Sequence, residues 1–351
     1  MPPITVYSPD HARHEPDGEI WVGVRIEGTE LPSRGQAILE AIIAAGHEVI
    51  APEAIEDDEL LSVHDPALVN FLTNAYSEWQ SSDYPRDPGQ DRVVPYAFPH
   101  FDMLADEKPR YPTSVGARTG MFAMDTMTLI GPGTWEAVRA AAACALTAAD
   151  LVLSGNELAY AAVRPPGHHA GRSFYGGSCY LNNAALAARR LADRTGELVA
   201  VIDIDAHHGN GTQQIFYETD EVFYGSVHID PGSGYFPHWV GFSNEIGAGQ
   251  GKGANTNITL MPGTGDIGWL AGIQKLADHS KAASSLVVSL GVDSFHQDPE
   301  SPLVVSVEGH RRAGQLIGEL GLPTVVVQEG GYDLAHLGEL VVAFLDGLEN
   351  A

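Results

Sequence analysis

The chain has 351 residues, of which 46 are acidic and 19 are basic, so its formal net charge is −27. Hydrophobic residues make up 44 % of the sequence, which is enough for a large core and argues against a disordered chain. Binding to nucleic-acid phosphates needs an excess of Lys and Arg, so this charge argues against a nucleic-acid partner. The acidity is compatible with a cationic substrate, a saline habitat or simple solubility, and a small substrate would need few of these acids.

The cysteine content indicates a reducing compartment. The chain contains only Cys144 and Cys179, which excludes a disulfide framework and a zinc site of four cysteines. The first residues lack the basic start and apolar run of a signal peptide, and the most apolar stretches are too short to span a bilayer. These features predict a cytoplasmic protein with no membrane partner.

The first third of the chain mixes regular elements with a long irregular segment. Strands are predicted at ITVYS and HEVIAP, and helices at residues 33–45 and 66–79. Residues 80–118 contain six prolines and show no periodicity. A loop of this length within a compact domain is usually functional or part of an interface, although a surface excursion is the simpler alternative.

From residue 134 onward, apolar strands alternate with amphipathic helices. Helices are predicted at 134–154, 182–196, 268–281, 306–319 and 335–348. The strands lie at LAYAAVR, ELVAVIDID, VFYGSVHID, NTNITL, SLVVSLGVD and PTVVVQEGGY. This alternation is typical of a parallel sheet covered on both faces. We therefore expect a single α/β domain over residues 1–351, with an eight-stranded parallel sheet and helices on both faces.

Four of these strands are followed by clusters of polar residues. Functional groups in parallel sheets collect beyond the carboxyl ends of the strands. The four clusters are RPPGHH (164–169), DIDAHHGNG (203–211), LGVD (290–293) and EGGY (329–332).

The second and third clusters predict a metal site. Asp205 and His207 are two residues apart in an extended segment, so both side chains leave the same side. Asp293 can supply a third ligand, which leaves a position open for water, as in catalytic zinc sites. The pair alone could equally be a buried salt bridge, and the ligand set also suits Fe²⁺, Co²⁺ or Mn²⁺.

The first and last clusters supply candidate acid–base groups. His168 and His169 follow a Pro-Pro-Gly turn, and one of them can act as the base for the attacking water. Asp203 and Asn210 are candidate partners, and only a carboxylate partner would raise a histidine pKa. Tyr332 can stabilise an oxyanion. The simpler interpretations are that His168 and His169 cap a strand and that Tyr332 belongs to a common Gly-Gly-Tyr turn.

Other catalytic motifs are poorly supported. Residues 247–253 are glycine-rich, but Lys252 is not followed by Ser or Thr as in a phosphate loop. Neither a GxGxxG after the first strand nor a GxSxG is present. Cys179 is better explained as a thiol in the pocket wall than as a nucleophile.

Together, RPPGHHA, DIDAHHGNGTQ, SLGVD and EGGY resemble the zinc-dependent deacetylases of the arginase–deacetylase fold. The segments HHGNGTQQIFYE, FPHWVGF and GPGTWEA, with the Pro-rich insertion before the last, resemble the bacterial acetylpolyamine amidohydrolases. The resemblance covers nearly the whole chain.

The resemblance implies a role for each motif residue. Asp205, His207 and Asp293 would bind one Zn²⁺, with Fe²⁺ or Co²⁺ as alternatives. His169, paired with Asn210, would be the general base and acid. His168, paired with Asp203, would act electrostatically, and Tyr332 would polarise the amide carbonyl.

The resemblance also implies K⁺ ions and a single catalytic metal. The positions that match the K⁺ ligands are Asp203, Asp205, His207, Ser226 and Val227. A second K⁺ site would lie near Phe216, Thr219 and Val222. The two-metal arginases need additional aspartates, whereas His208 and Ser294-Phe295 stand at those positions here.

The substrate channel departs from the pattern. Phe236 matches one aromatic wall, but Ser178 stands where the other is expected, so the channel is wider or Tyr175 or Phe174 replaces the wall. Gly116 stands where a relative has a glutamate for the distal amine. The candidate replacements are Glu19 beside Trp21, Asp102, Asp106 and Glu107.

The activity implied is removal of acetyl groups from N-acetylated polyamines or diamines by a homodimer joined through residues 80–118. The partner would then be a small cationic acetylated amine. The alternatives are hydrolysis of acetyl-lysine or other small acylated amines, a catalytically silent metal-containing sensor, and a two-metal ureohydrolase.

Overall fold

The computed structural model describes residues 3–104 and 110–351. The candidate acids Asp106 and Glu107 lie outside these residues. In the described ranges, the strands are β1 (Ile4–Val6), β2 (Glu19–Trp21), β3 (Val24–Ile26), β4 (Val49–Ile50), β5 (Leu158–Ala161), β6 (Val199–Asp203), β7 (Val222–Ile229), β8 (Asn255–Leu260), β9 (Ser285–Leu290) and β10 (Thr324–Gln328). The α-helices are α1 (Pro32–Ala44), α2 (Asp57–Leu60), α3 (Pro66–Ser81), α4 (Phe101–Leu104), α5 (Val115–Phe122), α6 (Thr134–Leu153), α7 (Asn183–Thr195), α8 (Asn210–Phe216), α9 (Asp266–Ser280), α10 (Val307–Gly318) and α11 (Leu337–Glu349).

Eight strands form one parallel sheet in the order β4-β1-β5-β10-β9-β6-β7-β8. All eight were predicted from the sequence, and the predicted α/β class is confirmed. The antiparallel hairpin β2–β3 was not predicted. No helix among the described residues is both long and apolar enough to cross a bilayer.

Helices cover both faces of the sheet, which explains the nearly continuous apolar strands. Helices α6 and α7 pack on one face, where their core includes Val287 of β9. Helices α1, α9, α10 and α11 pack on the other, where Leu286 and Val288 are buried. This alternation follows from the two-residue period of a strand.

The ends of α7 show how local sequence sets these boundaries. The Asn182 side chain caps the helix by accepting the N–H of Ala185 at 2.9 Å. Gly196 ends it in the left-handed conformation, with φ of 69°, as its position in the sequence predicted.

The Pro-rich segment is more ordered than predicted where it is described. It contains α4, and α5 begins within it and continues beyond residue 118. The buried positions of α5 include Val115, Thr119 and Phe122, which follow helical spacing. Since Thr119 is polar, the apolar pattern was too weak to predict this helix.

Topology places the four polar clusters side by side. They follow β5, β10, β9 and β6, and these strands are neighbours in the middle of the sheet. Because parallel strands end at the same edge, the predicted site residues are brought together there.

Candidate active site

Asp205, His207 and Asp293 converge beyond the ends of β6 and β9. The Nδ1 atom of His207 lies 2.9 Å from Oδ2 of Asp293 and 3.5 Å from Oδ1 of Asp205. One donor atom from each residue lies within 4.8 Å of the others. The predicted grouping of these three side chains is thus present in the structure.

Backbone groups hold the two carboxylates in place. Ala206 donates its N–H to Oδ1 of Asp293 at 2.8 Å, and Gly330 donates to Oδ2 of Asp205 at 2.9 Å. A Cβ at Gly330 would lie 2.7 Å from Asp205 Oδ2 and 2.9 Å from Asp293 Oδ2. A side chain there would therefore crowd the space that the donor atoms face.

The electrostatics of this cluster favour a bound cation. Burial and the neighbouring Asp205 carboxylate raise the pKa of Asp293 to about 7. Burial lowers the pKa of His207, but hydrogen bonds with Asp205 and Asp293 raise it well above its usual value. One imidazole nitrogen and two carboxylates suit Zn²⁺ and related divalent metals, so the donor set fits the metal that the sequence predicts.

The two adjacent histidines have partners of different charge. The Nδ1 atom of His168 lies 3.1 Å from Oδ2 of Asp203, which also accepts the Tyr224 hydroxyl at 3.1 Å. The Nδ1 atom of His169 lies 2.7 Å from Oδ1 of Asn210. Both pairs match the sequence-based pairing.

These partners separate the charge states of the two rings. Burial lowers the pKa of His168, but the Asp205 and Asp203 carboxylates raise it to about 10. Burial and the adjacent His168 hold the pKa of His169 well below its usual value. At neutral pH, His168 is therefore an imidazolium, and His169 is neutral and free to accept a proton.

Tyr332 lies at the end of the fourth cluster and is a hydrogen-bond donor. Burial raises the pKa of its phenol well above the usual value, despite the opposing charge of Arg34. The hydroxyl therefore keeps its proton at neutral pH. The charges of Asp293 and Asp205 also raise the pKa of this phenol.

Arg34 of α1 supports the loop that carries Tyr332, and sequence reasoning missed it. Its guanidinium carbon lies 4.7 Å from the centre of the Tyr332 ring. Its Nε and Nη2 donate to the carbonyls of Gly331 and Glu329, both at 2.6 Å. Buried Glu30 accepts from Arg34 at 2.9 Å. Arg34 and the Tyr332 loop are nearly 300 residues apart in the sequence, so no local sequence pattern could predict this contact.

Asp298 supports the same loop and was also missed. Its Oδ2 accepts the N–H of Tyr332 at 2.6 Å and that of Asp333 at 3.1 Å. Its Oδ1 accepts the N–H of Glu300 at 3.0 Å. One carboxylate therefore fixes both the Tyr332 loop and the segment that leads to Glu300.

Phe236, the predicted aromatic wall, lies beside the candidate base. The ring of Phe236 meets that of His169 edge to face, with 4.8 Å between centres. Gly177 lies against both rings, since a Cβ there would clash with His169 and lie 3.0 Å from Phe236. Ser178 has φ of 61° and donates its N–H to Thr128 at 2.9 Å. The position where the sequence predicted a second aromatic wall is thus part of a turn of small residues.

Two predicted channel residues lie elsewhere. Tyr175 is completely buried and stacks on Tyr180 and Phe71, with ring centres 5.8 and 6.2 Å apart. Its ring therefore packs within the core. Asp102 is exposed, and its described contacts are with His100; these contacts give it no link to the site.

Glu19 lies near a second acid that the sequence did not single out. Burial and the charge of Glu300 raise the pKa of Glu19 to about 7. The segment 28–29 lies against both acids, because the Thr29 hydroxyl donates to Glu300 at 2.9 Å and a Cβ at Gly28 would lie 3.1 Å from Oε1 of Glu19. The charge of Glu300 also reaches Tyr332. Trp21, on the same strand as Glu19, is half exposed.

The residues predicted to bind K⁺ lie on adjacent elements. Asp203 of β6 pairs in register with Ser226 of β7, and Val227 follows it. For the second predicted site, Phe216 ends α8 and its carbonyl accepts the N–H of Thr219 at 3.2 Å.

Comparison with known proteins gives consistent matches. Residues 29–348 match the histone deacetylase domain family. The acetylpolyamine amidohydrolase of Mycoplana ramosa is 38 % identical over 349 residues, covering 98 % of each chain. Acetylpolyamine amidohydrolase 1 of Pseudomonas aeruginosa is 38 % identical over 353 residues and 99 % of each chain. The crystal structure of an acetylpolyamine aminohydrolase from Burkholderia pseudomallei superposes with a TM-score of 0.92 at 36 % identity, covering 99 % of this chain and 98 % of that one.

Proposed function

We propose that this chain, which belongs to the histone deacetylase domain family, is a metal-dependent amidohydrolase. It would remove acetyl groups from N-acetylated polyamines or diamines. The observation that carries the proposal is the grouping of Asp205, His207 and Asp293 beside neutral His169 and protonated Tyr332. The relatives named acetylpolyamine amidohydrolases, which match over nearly the full chain, support the substrate class.

The proposed roles follow from the protonation states of the residues. A Zn²⁺ ion held by Asp205, His207 and Asp293 would polarise the amide carbonyl and acidify a water molecule. His169 removes a proton from the attacking water and returns it to the departing amine nitrogen. Tyr332 donates a hydrogen bond to the oxygen that becomes negative. The products are acetate and the free amine.

His168 keeps its proton in this scheme and acts through its charge. The Asp203 carboxylate at 3.1 Å stabilises the imidazolium. Its Nε2 lies 3.9 Å from Oδ2 of Asp205, so the positive charge faces the reaction centre. There it would stabilise negative charge that develops during attack on the carbonyl.

The distal amine of the substrate would bind Glu19 and Glu300. Among the described residues, no arginine or lysine forms an ion pair with either carboxylate, so an ammonium group of the substrate can take that place. Glu300 lies near Tyr332, whereas Glu19 lies on the hairpin β2–β3. A cation between them would lower the raised pKa of Glu19, since it favours the ionised carboxylate.

The ranking of substrates tests this function. With the metal content measured, kcat/KM is compared for acetylputrescine, acetylcadaverine, acetylspermidines and an acetyl-lysine peptide. We expect the polyamine substrates to exceed the peptide by about tenfold or more, a difference of about 1.4 kcal/mol. A preference for the peptide would favour the acetyl-lysine alternative, and bound metal without hydrolysis would favour a sensor.

The oligomeric state and the remaining ions are further parts of the proposal. Residues 80–118 would join two copies of the chain, supported by the exposed apolar side chains of Tyr96, Phe98, Met103 and Tyr111 in its described part. A chain with this segment shortened should be monomeric by light scattering.

K⁺ would bind at Asp203 and Ser226, and its removal should lower thermal stability. The reduced thiols Cys144 and Cys179 suit a cytoplasmic location.

A further inference from the structure

A second group of potential metal ligands lies beside the candidate active site. Donor atoms of His168, Cys179 and Glu329 all lie within 4.8 Å of one another. All three residues are buried, with at most 2 % of their surface exposed. The residues come from three different segments, so tertiary structure alone brings them together.

His168 and Glu329 each retain a donor atom for a ligand. His168 uses Nδ1 to contact Asp203, so its Nε2 atom is the one that can bind a metal ion. Glu329 uses Oε2 to accept the N–H groups of Gly167 and His168, at 2.6 and 3.0 Å. Its Oε1 is fully buried and has no hydrogen-bond partner among the residues that the structure describes. An unpartnered buried carboxylate oxygen is costly unless a ligand satisfies it.

We propose that His168, Cys179 and Glu329 form a second metal site, which takes a thiophilic divalent cation such as Zn²⁺ or Cd²⁺ and inhibits the enzyme when occupied. An imidazole, a thiolate and a carboxylate are a donor set for borderline or soft cations. Mg²⁺ and Ca²⁺ require oxygen ligands and do not fit it.

Charge balance allows this site to be filled together with the first. The two sites contain the carboxylates of Asp205, Asp293 and Glu329, with Asp203 behind His168. Binding of the second cation releases to solvent the Cys179 thiol proton, the Nε2 proton of His168 and the proton of the Glu329 carboxyl where it is present, since burial raises the pKa of Glu329 to about 7. Four carboxylates and one thiolate then face two dications, so the surrounding negative charge offsets their mutual repulsion.

A metal ion bound in the second site removes the His168 imidazolium, the charged group that assists catalysis. The Nε2 atom of His168 lies 3.9 Å from Oδ2 of Asp205. Once Nε2 binds a metal, the imidazolium is lost and a second cation lies next to the reaction centre. The inhibition rests on the proposed function, whereas metal binding at Cys179 does not.

Cadmium absorbance tests the site directly. Protein containing one Zn²⁺ per chain is titrated with Cd²⁺ while the thiolate-to-cadmium charge-transfer band is followed in the near ultraviolet. The first metal site has no sulfur ligand, and the chain has only two cysteines. A band therefore reports one of two thiols, and Cys144, buried in α6, supplies the matched control.

We expect one additional Cd²⁺ per chain, with a band that Cys179→Ser abolishes and Cys144→Ser retains. Glu329→Gln should keep the band at saturation but weaken Cd²⁺ binding by about tenfold or more. A band that persists in Cys179→Ser, or no band in the parent chain, would overturn the site.

Deacetylation measured in the same titration tests the inhibition. The rate should fall in parallel with the growth of the band, and Ca²⁺ at the same concentration should leave it unchanged. A full band with an undiminished rate would overturn the inhibitory role while the site stands. If the chain hydrolyses no acetylated amine, the proposed function fails, and the absorbance still decides whether the site exists.

Discussion

The Nδ1 atom of His169 lies 2.7 Å from the amide oxygen of Asn210, a partner without charge. The neighbouring ring of His168 has a carboxylate in the equivalent place, at 3.1 Å. The two rings are adjacent, with centres only 4.0 Å apart, but the Asp205 and Asp203 carboxylates raise the pKa of His168, whereas burial and the adjacent His168 lower the pKa of His169. The roles of base and fixed cation therefore depend on residues that do not touch the substrate.

Asn210→Asp should move the pH profile of the reaction. A carboxylate beside Nδ1 stabilises the imidazolium and raises the pKa of His169. Since His169 must be neutral to accept a proton, the acidic limb of kcat/KM should shift to higher pH by about one unit or more. The profile is measured at constant metal content. An acidic limb that stays in place would exclude His169 as the base.

Tyr332→Phe should lower kcat by about 100- to 1,000-fold, because it removes one hydrogen bond to the developing oxyanion. The ring and its contact with Arg34 remain, so KM should change by only a few fold. Metal content should equal that of the parent chain. A loss of kcat smaller than about fivefold would contradict the role given to the phenol.

Asp298→Ala should impair catalysis through the position of Tyr332. The substitution leaves the N–H groups of Tyr332, Asp333 and Glu300 without their acceptor, at a cost of about 1–3 kcal/mol for each group that stays buried. We expect lower thermal stability and a kcat reduced by about tenfold or more. Combining Asp298→Ala with Tyr332→Phe should add little to the loss of kcat. Fully multiplicative effects would show that Asp298 acts independently of Tyr332.

Glu19→Gln and Glu300→Gln should change substrate preference without changing the chemistry. Each removes one charge near the distal amine, so kcat/KM for acetylputrescine should fall by about tenfold through KM. Hydrolysis of neutral N-butylacetamide should be unaffected, which separates lost recognition from general damage. Asp102→Gln is the control, since that acid is exposed and contacts His100. Equal losses for both substrates would contradict the recognition role.

His64 should make the fold sensitive to mild acid. Its Nδ1 contacts the Gly171 carbonyl at 3.0 Å, and its Nε2 accepts the N–H of Asn182 at 2.9 Å, so the buried neutral ring is fully bonded. Burial lowers its pKa from 6.5 to about 4. Its contribution to stability is therefore complete above pH 6.5 and is lost as the pH falls towards 4, because the unfolded chain binds the proton more readily.

The size of this effect can be measured by denaturant unfolding. Between about pH 7.5 and pH 5, His64 should account for about 2 kcal/mol of lost stability. His64→Gln should reduce stability at the higher pH and flatten the dependence on pH by that amount. The same substitution at exposed His279 is the control for the loss of a histidine from the surface. An unchanged slope in His64→Gln would show that the ring is not kept neutral by burial.

The sequence predicted those features that depend on local pattern. The eight strands of the sheet were found because apolar runs alternate with amphipathic helices, and Asp205, His207 and Asp293 were grouped because parallel strands end together. Arg34 and Asp298 were not predicted, since their contacts with the Tyr332 loop depend on packing between distant segments. The hairpin β2–β3 was missed because strands of three residues show too little alternation.

Strands β9 and β10 lie between β5 and β6 in the sheet, although they come later in the chain. During synthesis, a chain that ends before residue 285 has made His169, Asp205 and His207 but lacks the two strands that join β5 to β6. The β5–β10 pairing joins residues 166 positions apart and the β6–β9 pairing joins residues 86 positions apart, and contacts of such separation form slowly. The active centre is therefore completed late in folding, and partly synthesised chains present exposed strand edges that a chaperone would have to protect.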